Sequence, residues 1–559
     1  MTTGIGNASL VLRGGKVFSS VAQGGFAEAV AFDNDTIMMV GKDCEIDALI
    51  GPSTRVVNLA GRLVIPAFGD AHVHAVSGGL ESLRCNLLGI RDRRGCLDKI
   101  SAHVAALPAD AWLLGGGWTM EMFPGGLPTV SDLDSVCGGR PAFLLSASHH
   151  SAWVNTAAMD RAGIDESMPD PFAGRIERDG KGIPTGVLHE GATSLLAGVL
   201  PRVTHTELTN GLRVALKRLH GLGITYWQDA LIGNAEQVGM ADSFGVYVEA
   251  MKEGWLTSRV RGALWWDHSQ GIEQLETLQA RREIAPDGVF RATTVKMMVD
   301  GATGTLSAAM SSPYLGDSGR REIHRGDVFI EPDQLAEAVR VLDTHGFQIH
   351  FHAIGDRAIS ISLDAIEKLG EERWGKNRHH IAHLRWINPR DLHRFRKLGV
   401  IANFQPLWAH FDSHMEDFII PVLGQERAEW QYSIRSLLDR QNRVAFGSDW
   451  PVSSPDPLQG IHVAVNRMLS TKLGNPGTDE TTKPLRSDQR ISLESAIDAY
   501  TKGVAYINGD EELLGVLEPG RRGDVVVLSE DIFSIPVSEI GDVDVELTVA
   551  GGSIVFGNE

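Results

Sequence analysis

Along the middle of the chain, apolar residues gather in short runs rich in Val, Ile and aromatic side chains, separated by stretches of helix-like composition. That alternation predicts a parallel sheet with crossover helices. Eight such runs can be read. The first, beginning Val64-Ile65-Pro66, ends at His74. The second is Gly223 to Asp229, the third Val260 to Trp266 and the fourth Thr294 to Asp300. Phe347 to His352, His380 to Leu384, Val400 to Phe404 and Val444 to Asp449 complete the set. Eight strands with intervening helices predict an α/β fold, a (β/α)8 TIM-like barrel. The first two runs lie much farther apart than a crossover needs, so an inserted subdomain is expected at about residues 76–215. Both ends of the chain have another texture. Leu10-Val11-Leu12, Ala29 to Phe32 and Ile37 to Val40 alternate with turns, and Asp524 to Leu528 and Glu546 to Val549 repeat the pattern. The expected organisation is a composite β-sandwich domain of residues 1–64 and 505–559 around a barrel of residues 65–504.

Candidate chemistry follows from strand parity. Successive side chains of a strand point to opposite faces, so His72 and His74 face the same way and can share one borderline metal ion. In a (β/α)8 barrel the reactive groups collect at the C-terminal ends of the strands. His72, His74, Lys296, His352, His383 and Asp449 all fall at or near such ends. Several histidines and a carboxylate form a ligand set suited to Zn, Mn, Fe or Co, with a position left for water. His350 shares the parity of His352 and is read as an interior hydrogen bonder. Trp227, Trp265, Trp266, Trp408 and Trp450 sit at or just beyond strand ends, where they either line a pocket for an apolar substituent or seal the barrel top. Gly301, Gly304 and Thr305-Leu306-Ser307 form a flexible stretch after the fourth run, able to close over a substrate or simply to turn the chain.

Composition narrows the partners. The chain has 559 residues, 43% hydrophobic and 22% charged, the profile of a globular protein too large for one simple core. A formal net charge of -19 argues against nucleic acid or an anionic membrane surface. No apolar run reaches the roughly 18 residues of a membrane span, and no basic-then-apolar leader opens the chain, so a cytoplasmic location is expected. Cys44, Cys85, Cys96 and Cys137 are scattered without a Cys-x-x-Cys pair, as for reduced structural thiols. Base rates for soluble proteins make a homodimer the default assembly.

His72-Val73-His74, Val295-Lys296, His352-Ala353-Ile354-Gly355-Asp356, Ala382-His383 and Gly447-Ser448-Asp449-Trp450-Pro451 together resemble amidohydrolase family 3 of the amidohydrolase superfamily. The resemblance extends over nearly the whole chain, including Gly515 to Gly520 before the closing strands. It implies a metal-dependent hydrolase of a non-peptide C–N bond, with a small-molecule amide as substrate; the family's best-known named activity is N-substituted formamide deformylase. Carried over, it places one divalent ion on His72, His74 and Asp449 and a second on His352 and His383, zinc first and iron or manganese as alternatives. Lys296 would bridge the two as a carbamate, because a plain ammonium would repel them. The other reading of Lys296 pairs it with Asp300 or a substrate carboxylate and leaves one metal. Asp449 would take a proton from the attacking water and deliver it to the leaving nitrogen. Ser148-His149-His150-Ser151 is similar to a family segment in which an acidic residue and a glycine usually precede the histidine, and Pro184 to Glu190 is similar to another. His150 and Glu190 thereby become candidates for substrate contact, with Trp227, Trp266 and Trp408. The leading reading is hydrolysis of a linear N-substituted amide or formamide. A cyclic amide, a deaminated heterocycle or an ester could use the same site. A catalytically silent binding protein would lack ligands, and none is missing; a redox metalloprotein would need a sulfur ligand set or nucleotide loop that is not found.

Overall fold

The eight expected runs form eight neighbouring, all-parallel strands of one sheet in the computed structural model, which describes residues 6–20, 25–171, 174–235, 240–316, 324–412, 415–474 and 478–557. In chain order they are β1 (Phe68–Val73), β2 (Ile224–Ile232), β3 (Arg259–Trp265), β4 (Phe290–Met298), β5 (Gln348–Ala353), β6 (His380–His383), β7 (Ile401–Phe404) and β8 (Val444–Phe446). Registers align the reactive levels: Lys296 of β4 pairs with His350 of β5, and Ala353 of β5 with His383 of β6.

The sheet closes through a side chain. Buried Asp70 on β1 accepts from the His72 amide at 3.0 Å, from the Ser448 amide at 3.0 Å and from the Ser448 hydroxyl at 2.5 Å, so one carboxylate clips the first strand to the loop after the last. Beyond it the Asp449 amide donates to the His72 carbonyl at 2.7 Å and the His74 amide to the Trp450 carbonyl at 2.8 Å.

Alternation along each strand sorts the residues. On β5, Ile349, Phe351 and Ala353 join the main apolar core under the helices, while Gln348, His350 and His352 are the polar alternates. On β4, Val295 and Met297 face the core and leave Thr294 and Lys296 to the other face. The barrel interior is therefore a column of amides and imidazoles, where barrels of this class usually hold branched aliphatic residues.

The first apolar run divides between two sheets. Leu63–Pro66 pairs with Lys16–Phe18 and Val525–Leu528, the Ala67 amide still donates to the Asp524 carbonyl at 3.0 Å, and β1 starts at Phe68, whose amide turns to the Gly223 carbonyl at 2.9 Å. A six-stranded sheet thus takes strands from both ends of the chain, and the four strands Leu10–Arg13, Ala29–Asp33, Thr36–Gly41 and Arg55–Asn58 form another. One apolar cluster, with Leu12, Phe32, Val64, Val527 and Val549, draws on both.

Between β1 and β2 stands a six-stranded mixed sheet running from Cys85–Asn86 to Pro184–Glu190. The helices Ala75–Ser82 and His205–His220 that bracket it pack on each other, so close that a Cβ on Gly79 would meet the Gly211 carbonyl at 1.9 Å. The inserted sheet lies within the span of about 76–215 in which an inserted subdomain is expected. Cys85, Cys96 and Cys137 lie buried in its core, and all four cysteines are unpaired. Among the described residues no helix is long and apolar enough to cross a membrane.

Candidate active site

The polarity of the interior column can be followed from fixed points. Nε2 of Gln348 donates to the carbonyls of Arg378 at 2.8 Å and Ile507 at 2.9 Å, groups that can only accept. Its Oε1 consequently faces the barrel axis, where it accepts from the Thr294 hydroxyl at 2.7 Å and from Nε2 of Gln228 at 3.0 Å. Gln228 is left presenting Oε1 to Nδ1 of His350 at 2.7 Å and to Nε2 of His380 at 2.8 Å, so both ring nitrogens carry protons. Burial, reinforced by His380, holds the pKa of His350 well below its ordinary value. As a neutral ring protonated at Nδ1, His350 can only accept at Nε2, and it takes Nδ1–H of His72 at 2.8 Å. Nε2 of His72 is thereby left as a bare lone pair. A parallel arrangement serves β6: Nδ1 of His383 donates to Oε1 of Gln405 at 2.9 Å, which bares the other nitrogen of that ring.

These bare atoms converge. One ligand atom from each of His72, His383 and Asp449 lies within 4.8 Å of the others, all three residues buried. Oδ1 of Asp449 stands 3.1 Å from Nε2 of His72 and 3.2 Å from Nε2 of His74. The His352 ring centre is 4.4 Å from that of His383. Burial opposes a charge on Asp449, yet contacts with His72, His74 and His383 together hold its pKa well below the carboxylate range. Burial likewise keeps His72, His352 and His383 neutral. Nε2 of His72, Nε2 of His352 and Oδ1 of Asp449 are all buried without a hydrogen-bond partner. Acceptors so placed are costly unless a cation completes them, so this donor set fits a divalent metal.

Strained backbone aims two of these groups: φ is +76° at His383 and +57° at Asp449, left-handed values that cost L-residues about 1–3 kcal/mol each. Lys296 is buried, and burial pushes its pKa down to about 8 against the pull of Asp449 and Asp229. It does not pair with Asp300, whose carboxylate instead accepts the amides of Ala309, Ile354 and Gly355 at 2.8 to 3.0 Å.

Above this floor lies a cavity of about 280 Å³ lined by His150, His352, His383 and Asp449, with Trp118 and Trp408 among its apolar walls. Trp408 stacks on His383, ring centres 5.5 Å apart and planes 11° from parallel. Nδ1 of His150 lies 2.9 Å from Oε2 of Glu190, and Oε1 of that carboxylate accepts from Thr305 at 2.8 Å and Ser307 at 2.6 Å. Burial opposes the charge on both partners, but each stabilises the other: the His150 pKa rises and the Glu190 pKa falls. The inserted sheet and the loop after β4 thus meet over the cavity. His149, at φ +62° where the resembled segment has glycine, turns to a separate void and pairs with Glu81 at 3.3 Å.

Most residues expected at the site are gathered there. Trp227 and Trp266 are not: both are buried in the main apolar core, because on β2 the inward position belongs to Gln228 and its neighbour Trp227 must face the helices. Several contributors were missed in the sequence. Asp70 shares the parity of His72 on its strand, a signal that was available; Gln228 lies on a strand buried throughout, and Trp118 and Arg385 reach the cavity from segments whose position no local pattern reveals.

Comparisons with known proteins agree with this geometry. A family model described as "Amidohydrolase family" matches residues 55–556. The chain is similar to Protein LONG AFTER FAR-RED 3 of Arabidopsis thaliana, 29% identical with 98% of this chain and 92% of that protein covered. It is also similar to N-substituted formamide deformylase of Arthrobacter pascens, 26% identical over 96% of each chain. Among solved structures, an uncharacterized metal-dependent hydrolase from Pyrococcus furiosus shares the fold with a TM-score of 0.69 at 24% identity, covering 93% of this chain and 99% of its own. With the family match spanning both the barrel and the strands that flank it, the chain belongs to the amidohydrolase family, hydrolases of carbon–nitrogen bonds.

Proposed function

We propose that this protein hydrolyses a linear N-substituted amide, formamides foremost, at a divalent metal centre on the barrel floor. The observation that carries the reading is the convergence of buried, partnerless acceptors on His72, His352 and Asp449 beneath a cavity sized for a small molecule. His72, His74 and Asp449 would hold one ion, zinc by preference; His352 and His383 would hold a second, and a carboxylated Lys296 would serve both. Such an ion supplies Lewis acidity and an acidified water. Asp449, ionised and adjacent to the bare imidazoles, receives the proton of the attacking water and passes it to the departing nitrogen. His150, whose pKa Glu190 raises against the effect of burial, offers a donor to the carbonyl oxygen as negative charge develops there. Trp408 and Trp118 supply flat apolar walls for the nitrogen substituent. The formamide substrate is supported by the likeness to the Arthrobacter deformylase at 26% identity. The two terminal sheets are read as one β-sandwich domain of residues 1–64 and 505–559, supported by their shared apolar cluster.

Metal content per chain, measured on protein purified without chelator, tests the centre. One to two equivalents are expected, lost in the double variant His72→Ala/His74→Ala. Asp449→Asn should retain the fold and lose at least about 100-fold in turnover of N-benzylformamide. A wild type that stays metal-free after reconstitution, or near-normal turnover by Asp449→Asn, would refute the assignment.

A further inference from the structure

Arg385 lies two residues beyond His383, past a left-handed turn at Leu384 (φ +47°), and lines the same cavity as His352, His383 and Asp449. Its neighbours in the fold show what arginines here ordinarily do. Arg378 grips Glu511 through two nitrogens at 2.6 and 2.7 Å, Arg394 reaches Asp364 and Glu367 at 2.7 Å, and Arg427 donates to three carbonyls at 2.6 to 2.9 Å. Among the described residues Arg385 has no such acceptor. Aromatic rings hold it instead: its guanidinium carbon is 5.3 Å from the ring centre of Trp386 and 5.9 Å from that of Tyr432.

Both rings are themselves fixed. Nε1 of Trp386 donates to the Thr303 hydroxyl at 2.9 Å, and the Tyr432 ring is buried in the main apolar core while its amide donates to the Arg385 carbonyl at 3.1 Å. Rings attract a cation but accept none of its hydrogen bonds in the ring plane, so no protein acceptor among the described residues takes the donor edge of the guanidinium. Nε is shielded from solvent and without a partner. A pre-positioned, partly desolvated guanidinium gains most from an anion that meets its planar fork. The rest of the wall selects the kind of anion: Glu121 lines the same cavity and repels a dianion such as a phosphate monoester more strongly than a carboxylate.

We propose that Arg385 anchors a carboxylate on the substrate, so that the amide cleaved belongs to an N-acylated or N-formylated amine that itself carries a carboxylate group within reach of the cavity. The proposal rests on the amide-hydrolase reading for the bond broken and adds to it the charge of the substrate. It also gives the cavity a division of labour. The metal-facing floor takes the amide, the tryptophan walls take the intervening apolar body, and Arg385 takes the acid.

The test compares N-benzylformamide with 4-(formamidomethyl)benzoate, which differ only in the carboxylate, on the protein as purified. Wild type should favour the acid by about 10-fold or more in kcat/KM, the order expected of a charge-assisted pair. That ratio should fall to about 1 in Arg385→Gln and be partly kept in Arg385→Lys. Binding of 4-methylbenzoate against 4-methylbenzamide, followed by calorimetry, should show the same preference and the same dependence on Arg385, with metal content and circular dichroism as controls. No preference in wild type, or a preference that survives Arg385→Gln, overturns the anchor. Failure to hydrolyse either formamide while the benzoate preference still depends on Arg385 would refute the amide reading and leave the anchor standing. If Arg385→Gln fails to fold, a wild-type level of preference in folded Arg385→Lys together with equal binding of the acid and the amide to wild type overturns it.

Discussion

Replacing Gln228 with methionine tests whether the interior column sets the chemistry of His72. Methionine matches the length of the side chain and removes the oxygen that accepts from His350 and His380 at 2.7 and 2.8 Å. Two buried N–H groups then lose their acceptor at about 1–3 kcal/mol each, so the folded state should lose about 2–6 kcal/mol. The more specific consequence is loss of direction. Without Gln228, His350 is free to move its proton to Nε2, and Nδ1 of His72, 2.8 Å away, must then accept instead of donate. His72 would carry its own proton on the nitrogen that faces Asp449, and could not offer a lone pair to a cation. Loss of an outer partner of a metal-ligating histidine typically lowers metal affinity about 10–100-fold. Competition against a chromophoric chelator measures that affinity, chemical denaturation measures the stability, and histidine 15N chemical shifts of the metal-free protein report the tautomer of His72. Gln228→Glu keeps acceptors for both rings and should keep the Nδ1–H tautomer while losing stability through its contact with Oε1 of Gln348. Wild-type metal affinity in Gln228→Met, with the His72 proton still on Nδ1, would refute the reasoning.

Two further outcomes follow from the same geometry. Lys296→Met should reduce bound metal from two ions to one, and added bicarbonate should speed reconstitution of wild type but not of the variant; one ion in wild type with no bicarbonate effect would show that Lys296 is not a carbamate bridge. The His150–Glu190 pair sets a pH window. A His150 pKa raised above 6.5 gives stabilisation that is present below 6.5 and lost as pH rises past the folded value; a Glu190 pKa lowered below 4.5 gives stabilisation present above 4.5 and lost as pH falls. The pair should therefore hold from about pH 4.5 to beyond 6.5, with an alkaline limb in kcat/KM that moves to lower pH in Glu190→Gln. A limb that stays in place would remove His150 from the reaction.

The sequence by itself determined the elements and their polarity. Eight apolar runs with helix-like spacers are enough to specify a parallel barrel, since each strand carries its own pattern and each crossover has one favoured hand. Strand parity put His72 with His74 and His350 with His352, and the rule that reactive groups gather at the C-terminal strand ends selected Lys296, His383 and Asp449. Those are local properties, written within a few residues of one another.

Tertiary structure alone decided which groups meet and how they are wired. Trp227 and Gln228 are adjacent in a strand, and both are buried; only closure of the barrel showed which of them faces the axis. The path that bares Nε2 of His72 runs through Ile507, Gln348, Gln228 and His350, residues far apart in the chain, and its direction is imposed by backbone carbonyls that have no sequence signature. The Asp70 clip onto Ser448 and the arginine held between Trp386 and Tyr432 are of the same kind. Hydrogen-bond partners and ring contacts across a barrel depend on the registers of strands and the paths of loops, which periodicity within any one segment does not contain.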